Sequence, residues 1–142
     1  MKKILFLLFL LFLVEGVTFG NPKVYNDIFE GQKVALKEAK LMLYIISSSK
    51  CQHCHNLLNG INNTPHLLKL LKDDFVFIVT DLENPYSRIP NDIVFNGKTP
   101  TTYILTPTGN LIGIPIEGSI KSQDLYTLLK GLENYKKERL GF

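Results

Sequence analysis

Tryptophan is absent from the 142 residues, cysteine and methionine occur twice each, and arginine occurs only as Arg88 and Arg139. Two cysteines allow at most one disulfide, so no cystine framework holds this chain and a hydrophobic core must do so. The scarcity of arginine removes the residue best suited to bidentate phosphate recognition. A formal net charge of only +3, with lysine and glutamate interleaved, leaves no basic stripe. Together these exclude nucleic acid as a partner class, and they exclude charge-driven docking on an acidic membrane. Repeats and low-complexity tracts are lacking. So is a long apolar run: the most extended, Ile4 to Val14, has eleven residues, whereas spanning a bilayer takes about 20.

That short run has a different meaning. Lys2 and Lys3 precede it, Glu15 ends it, and Thr18-Phe19-Gly20 places small residues three and one before a cut ahead of Asn21. The pattern predicts a signal peptide over residues 1–20 and one domain over residues 21–142, in the periplasm or otherwise outside the cytoplasm. The alternative is an uncleaved anchor, which is the only membrane engagement expected. No cysteine adjoins the cut, so a lipid-modified N-terminus is not supported. The remaining 122 residues make about one ordinary domain with room for a real core.

From Val24 to Ala39 the pattern is helical but interrupted at Gly31, which predicts one broken helix or two short ones. Leu41 to Ile46 is continuously apolar, as in a central strand buried on both faces. Ser47-Ser48-Ser49 breaks it and offers caps for a helix whose first turn holds Cys51 to Cys54. Asn62-Asn63-Thr64-Pro65 stops that helix and starts another, with Thr64 as N-cap and Pro65 in the first turn. Phe75 to Val79 is a second apolar strand, parallel to the first by the handedness of strand–helix–strand units. Asp81 to Lys98 is loop-like, with one helical turn expected around Ile89 to Phe95. Thr101–Leu105 and Leu111–Ile116 flank Pro107-Thr108-Gly109-Asn110 and predict a hairpin whose second strand Pro115 confines to the sheet edge. Leu125, Leu128, Leu129 and Leu132 mark a terminal helix from Ser122 to about Arg139.

The chemistry concentrates in Lys50-Cys51-Gln52-His53-Cys54-His55, which holds both cysteines and two of the three histidines. Cysteines three apart at a helix start lie on adjacent turns of one face, near enough to form and break a disulfide. So small a loop contributes only ~2 kcal/mol of chain-entropy stabilisation, which makes the bridge a poor staple and a good reagent. At the helix N-terminus, unpaired N–H groups favour an anion, and Lys50 and His53 add positive charge. The Cys51 thiol is therefore expected below its ordinary range, with Cys54 more buried.

In this order of elements, with Cys51-Gln52-His53-Cys54 after a buried strand, a second strand ending near Asp81, and Lys98-Thr99-Pro100-Thr101 before a hairpin and last helix, the chain resembles the thioredoxin-like superfamily. Within it, the resemblance is to exported thioredoxin-related thiol:disulfide oxidoreductases. It spans roughly Gln32 to Tyr135. It implies an α/β fold with a mixed central sheet and helices on both faces. It further implies Cys51 as nucleophile, Cys54 as resolving thiol, His53 as a tuning residue, and a cis Pro100 beside the disulfide, with Thr99 and Thr101 flanking it in the substrate-binding loop. No cofactor is implied. The implied partners are thiol- or disulfide-containing proteins and a redox partner protein, with oxidation, isomerisation and reduction all open as directions. Three departures stand out: no Trp precedes Cys51, Gln52-His53 replaces the Gly-Pro of cytosolic thioredoxins, and Ile45 stands where those proteins bury an acid. Glu83 or water is then left to accept the proton of the buried thiol.

Rival readings are weaker. Cys51-Gln52-His53-Cys54-His55 is also a c-type haem attachment motif with His55 as proximal ligand, but no methionine follows Met42 and the strands do not suit a small cytochrome. A zinc site lacks its second ligand pair. A redox-inert binding module of the same fold leaves two intact cysteines unexplained.

Overall fold

The computed structural model describes residues 20–140, with the side chains of residues 139 and 140 left aside. The expected signal peptide lies almost wholly outside the described residues. Among those described, no helix is long and apolar enough to cross a membrane.

The elements run β1 (Val24–Tyr25), α1 (Ile28–Glu38), β2 (Leu41–Ser47), α2 (Gln52–Asn62), α3 (Pro65–Asp74), β3 (Phe75–Asp81), β4 (Thr101–Leu105), β5 (Ile116–Glu117) and α4 (Ser122–Leu140). They form one sheet in the order β1-β3-β2-β4-β5. β1, β3 and β2 are mutually parallel, and β4 and β5 are antiparallel to their neighbours. All seven residues of β2 are buried, as its unbroken apolar run requires of a strand paired on both edges and covered on both faces.

Strand alternation sorts the core into two halves. Leu41, Leu43, Ile45, Phe75, Phe77 and Ile104 face Leu57 and Ile61 of α2, Leu67 and Leu71 of α3, and Leu125 and Leu129 of α4. Met42, Tyr44, Ile46, Val76, Ile78, Tyr103 and Leu105 face Ile28 and Ala35 of α1, with Ile89, Ile93 and Phe95 of the segment after β3 packed alongside. The α/β class with a mixed sheet and helices on both faces is therefore as expected.

Several expectations are corrected. Residues 24 and 25 are strand, not helix: Val24 and Tyr25 pair with Phe77 and Ile78. Asp27 then caps α1, its Oδ1 accepting the Phe29 N–H at 2.9 Å. The helix does not break at Gly31. A Cβ there would lie 2.5 Å from Ile78 Cδ1, so the glycine is where α1 comes down onto β3. Thr64 is the N-cap of α3, as expected, but its hydroxyl makes no capping bond and instead donates back to the Gly60 carbonyl at 2.7 Å. No helical turn forms between residues 89 and 95, where a simple turn closes through Ile93 N–H to Pro90 O at 3.1 Å. The hairpin's second strand shrinks to Ile116–Glu117 plus a lone Leu105–Leu111 bridge. Gly113 in the left-handed region (φ 72°) and Pro115, which lacks an N–H, interrupt the ladder between them.

At the end of the sheet where β2 begins, Lys136 of α4 is only 5% exposed and donates to Ala39 O at 3.0 Å, satisfying the carbonyl just past α1. Buried Glu133 sits 3.6 Å from the same ammonium. That lysine ties α4 to the C-terminal end of α1.

Candidate functional site

The site lies where β2, β3 and β4 converge at one end of the sheet. Parallel pairing runs in register to Ser47 opposite Asp81, and antiparallel pairing sets Ile46 opposite Thr101. Three segments leave from here: Ser48–Cys51 toward α2, Leu82 onward from β3, and the Thr99–Pro100 step into β4.

Cys51 is itself the N-cap of α2, so the serines before it do not serve that role. Its backbone is extended (φ −104°, ψ 115°), and its sulfur accepts the Cys54 N–H at 3.2 Å, as the oxygen of a capping serine or aspartate would. When protonated, it donates to the Thr99 carbonyl at 3.4 Å. Burial pushes its thiol up, but hydrogen bonds from the Cys54 thiol, the Thr99 hydroxyl and the Cys54 and His53 backbone N–H groups outweigh this, and the net result is a lowered thiol. Cys54, one turn on, is 1% exposed. Burial raises its thiol, and the neighbouring Cys51 sulfur raises it further, against smaller contributions from Ser48, Ser47 and Thr99. Both cysteines are free. One partly exposed sulfur with a lowered thiol and one buried sulfur with a raised thiol thus lie three residues apart at the start of α2.

The Thr99–Pro100 peptide is cis, and Pro100 is buried. Its carbonyl accepts the Gly118 N–H at 2.8 Å, which links the loop to β5. Thr99 is partly exposed beside Cys51. Thr101 is 3% exposed, and its hydroxyl donates to Lys98 O at 2.6 Å, so its side chain closes the loop from inside. His53 is exposed on α2, and its carbonyl accepts from Ser119 Oγ at 3.1 Å.

The groups that hold the approach to Cys51 went unnoticed in the sequence, apart from Glu83. Asp81 Oδ1 accepts the N–H groups of both Ser49 and Glu83 at 3.0 Å, and Leu82 N–H donates to Ser47 O at 2.9 Å. His55 Nε2 lies 2.8 Å from Ser49 O. Glu83 pairs with Lys50 and accepts from Ser48 Oγ, both at 3.0 Å, so it is committed on the rim rather than to Cys54. The hydroxyls of Ser47 and Thr99 border the buried thiol instead. No pattern of spacing marks residues 81 to 83 as partners of residues 47 to 50; only the register of β2 against β3 brings them together.

This geometry does not suit haem attachment: a thioether to Cys54 would require a sulfur 1% exposed, and His55 is engaged with Ser49. Among the described residues, no group of three or more His, Cys, Asp or Glu is placed to hold a metal ion.

The sheet order, with a cysteine pair at the start of the helix after the central strand and a cis-proline loop across from it, defines a thioredoxin fold. Comparison with solved structures agrees. A thioredoxin from Thermus thermophilus superposes with a TM-score of 0.64 at 20% identity, over 87% of this chain and 95% of that one. A poplar thioredoxin h gives 0.58 at 16% identity, over 80% and 96%. A disulphide isomerase from Xylella fastidiosa gives 0.57 at 15% identity, over 74% and 87%. No protein-family model matches the sequence, and no curated protein matches it.

Proposed function

We propose that the protein is an exported thiol:disulfide oxidoreductase acting on proteins through Cys51 and Cys54. The observation that carries this reading is the asymmetry of the two sulfurs: an N-cap cysteine with a lowered thiol, three residues from a buried cysteine with a raised one. The solved thioredoxins and the disulphide isomerase with the same fold support it.

In the reducing direction, the Cys51 thiolate attacks one sulfur of a partner's disulfide. A Cys51–partner bond forms, and the other partner sulfur leaves as a thiolate. Cys54 then gives up its proton and attacks the Cys51 sulfur, closing Cys51–Cys54 and releasing the second partner thiolate, so that two electrons pass to the partner. The same steps reversed oxidise a partner dithiol. The Thr99 backbone beside Cys51 offers an edge to an extended partner segment, in the manner of an added strand.

The test is thiol exchange with a disulfide-bonded protein such as insulin. Cys51→Ser should abolish it, and Cys54→Ser should accumulate a partner adduct that a small thiol releases. Equal adduct formation by the two variants would overturn the roles. Export is tested by the N-terminal residue of the secreted protein, expected to be Asn21; retention of the full chain in the cytoplasm would refute it.

A further inference from the structure

The lysine next to the nucleophile does not stand free. Lys50 Nζ lies 3.0 Å from Glu83 Oε2, while Glu83 Oε1 accepts from Ser48 Oγ at 3.0 Å. Ser48 Oγ in turn accepts the Lys50 N–H at 3.2 Å, and Ser48 O accepts the Cys51 N–H at 3.1 Å. Glu83 thus grips both ends of a three-residue span ending one residue before the reactive sulfur. It is held in place itself, because its N–H donates to Asp81 Oδ1. Resting on the thiol-exchange reading above, we propose that Glu83 is a positioning residue for Cys51: by pairing with Lys50 it withholds that positive charge from the sulfur and so sets how reactive, and how oxidising, the cysteine pair is.

A cation beside a thiolate favours the anion, and stabilising the thiolate of the reduced form makes the disulfide a stronger oxidant. Lys50 adjoins Cys51, but its largely exposed ammonium is paired with the Glu83 carboxylate, which Ser48 holds in turn. The other ionisable groups on the elements around Cys51 are accounted for. Lys98, before the Thr99–Pro100 step, is likewise paired with Glu117 at 2.8 Å. Asp81 is occupied by two N–H groups. His55 is engaged with Ser49, while His53 and Cys54 lie on α2 itself. Both lysines are therefore paired with a carboxylate, and of the two carboxylates only Glu83 is joined to the segment that carries Cys51.

The experiment measures the pH midpoint of Cys51 alkylation by iodoacetamide in the reduced protein, together with its equilibrium with glutathione, for Glu83→Gln, Lys50→Met and the double variant. Glutamine keeps an oxygen for Ser48, so the span stays held while the charge goes. Glu83→Gln should lower the midpoint by about half a unit, the scale of an exposed ion pair, and shift the glutathione equilibrium about threefold toward a more oxidising pair. Lys50→Met should raise the midpoint, and the double variant should return close to the wild type. A purely structural role would lower stability without opposite shifts from the two substitutions. An unchanged or raised midpoint in Glu83→Gln, or a double variant that sums two same-sign shifts, overturns the proposal. Insulin exchange by the wild type is scored separately: its absence refutes the enzymatic reading, whatever the midpoints do.

Discussion

The two faces of the sheet are built differently. One is covered by α2, α3 and α4, whose leucines recur at helical spacing and supply most of the buried apolar side chains that come from helices. The other is covered by α1 and by the irregular segment between β3 and β4, which contributes only the partly buried Ile89, Ile93 and Phe95. That segment is tied down by single polar links: Tyr103 Oη donates to Val94 O at 2.9 Å, Arg88 pairs with Asp27 and lies 4.7 Å from the Phe29 ring centre, and Ser87 bonds to the Asp81 carbonyl. Packing carries the first face, and individual hydrogen bonds and ion pairs carry much of the second. The site uses both, since the cysteines ride on a packed helix while Asp81 and Glu83 begin the tied segment.

The sharpest test removes a fully buried leucine from the helical face. Leu71→Ala should cost about 2–5 kcal/mol in urea unfolding, whereas Phe95→Ala, on the loop side, should cost clearly less. Equal losses would break the comparison. Next is Gly31→Ala, at the one place where α1 meets β3 without a side chain between. Alanine favours the helix by ~1 kcal/mol, but its Cβ would sit 2.5 Å from the fully buried Ile78. Forcing that core to shift costs about 1–3 kcal/mol, so a net loss is expected in the same assay. A gain would mean that this face is loosely packed. Tyr103→Phe should cost ~1 kcal/mol through the loss of its bond to Val94, and should raise the rate of proteolysis between Asn91 and Asn96 with no change at α3. The smallest effect is at Asp81. The N–H of Glu83, with the N–H and the hydroxyl of Ser49, holds its carboxyl below the usual carboxylate range despite some burial. Its contribution is therefore complete above the ordinary carboxylate value and is lost as pH falls through the lowered one. Asp81→Asn should remove that part of stability, seen as a melting temperature modestly lowered at neutral pH, where the contribution is complete, little changed in acid, and so a flatter profile below pH about 5.

Much of this is legible in the sequence alone. The apolar runs of β2 and β3, the leucine spacing of α2 to α4 and the two cysteines three apart are properties of neighbouring residues, and local geometry acts on neighbours: period 2 or 3.6 decides which side chains share a face. The fold class and the pair Cys51/Cys54 follow from such patterns, together with the Thr-Pro step that the resemblance singled out. What the tertiary structure alone decided is how distant segments meet. Gly31 looked like a break because a glycine weakens a helix, yet it is kept within α1 by the approach of Ile78, 47 positions later. Serines 47 to 49 looked like caps, but Cys51 takes that role, because the β2–β3 register delivers Asp81 and Glu83 to hold the serines elsewhere. Lys50 looked like a free charge beside a thiol and is an ion pair. Hydrogen-bond partners more than 30 positions apart leave no period in a sequence, since their meeting is set by strand register and packing rather than by the chain between them.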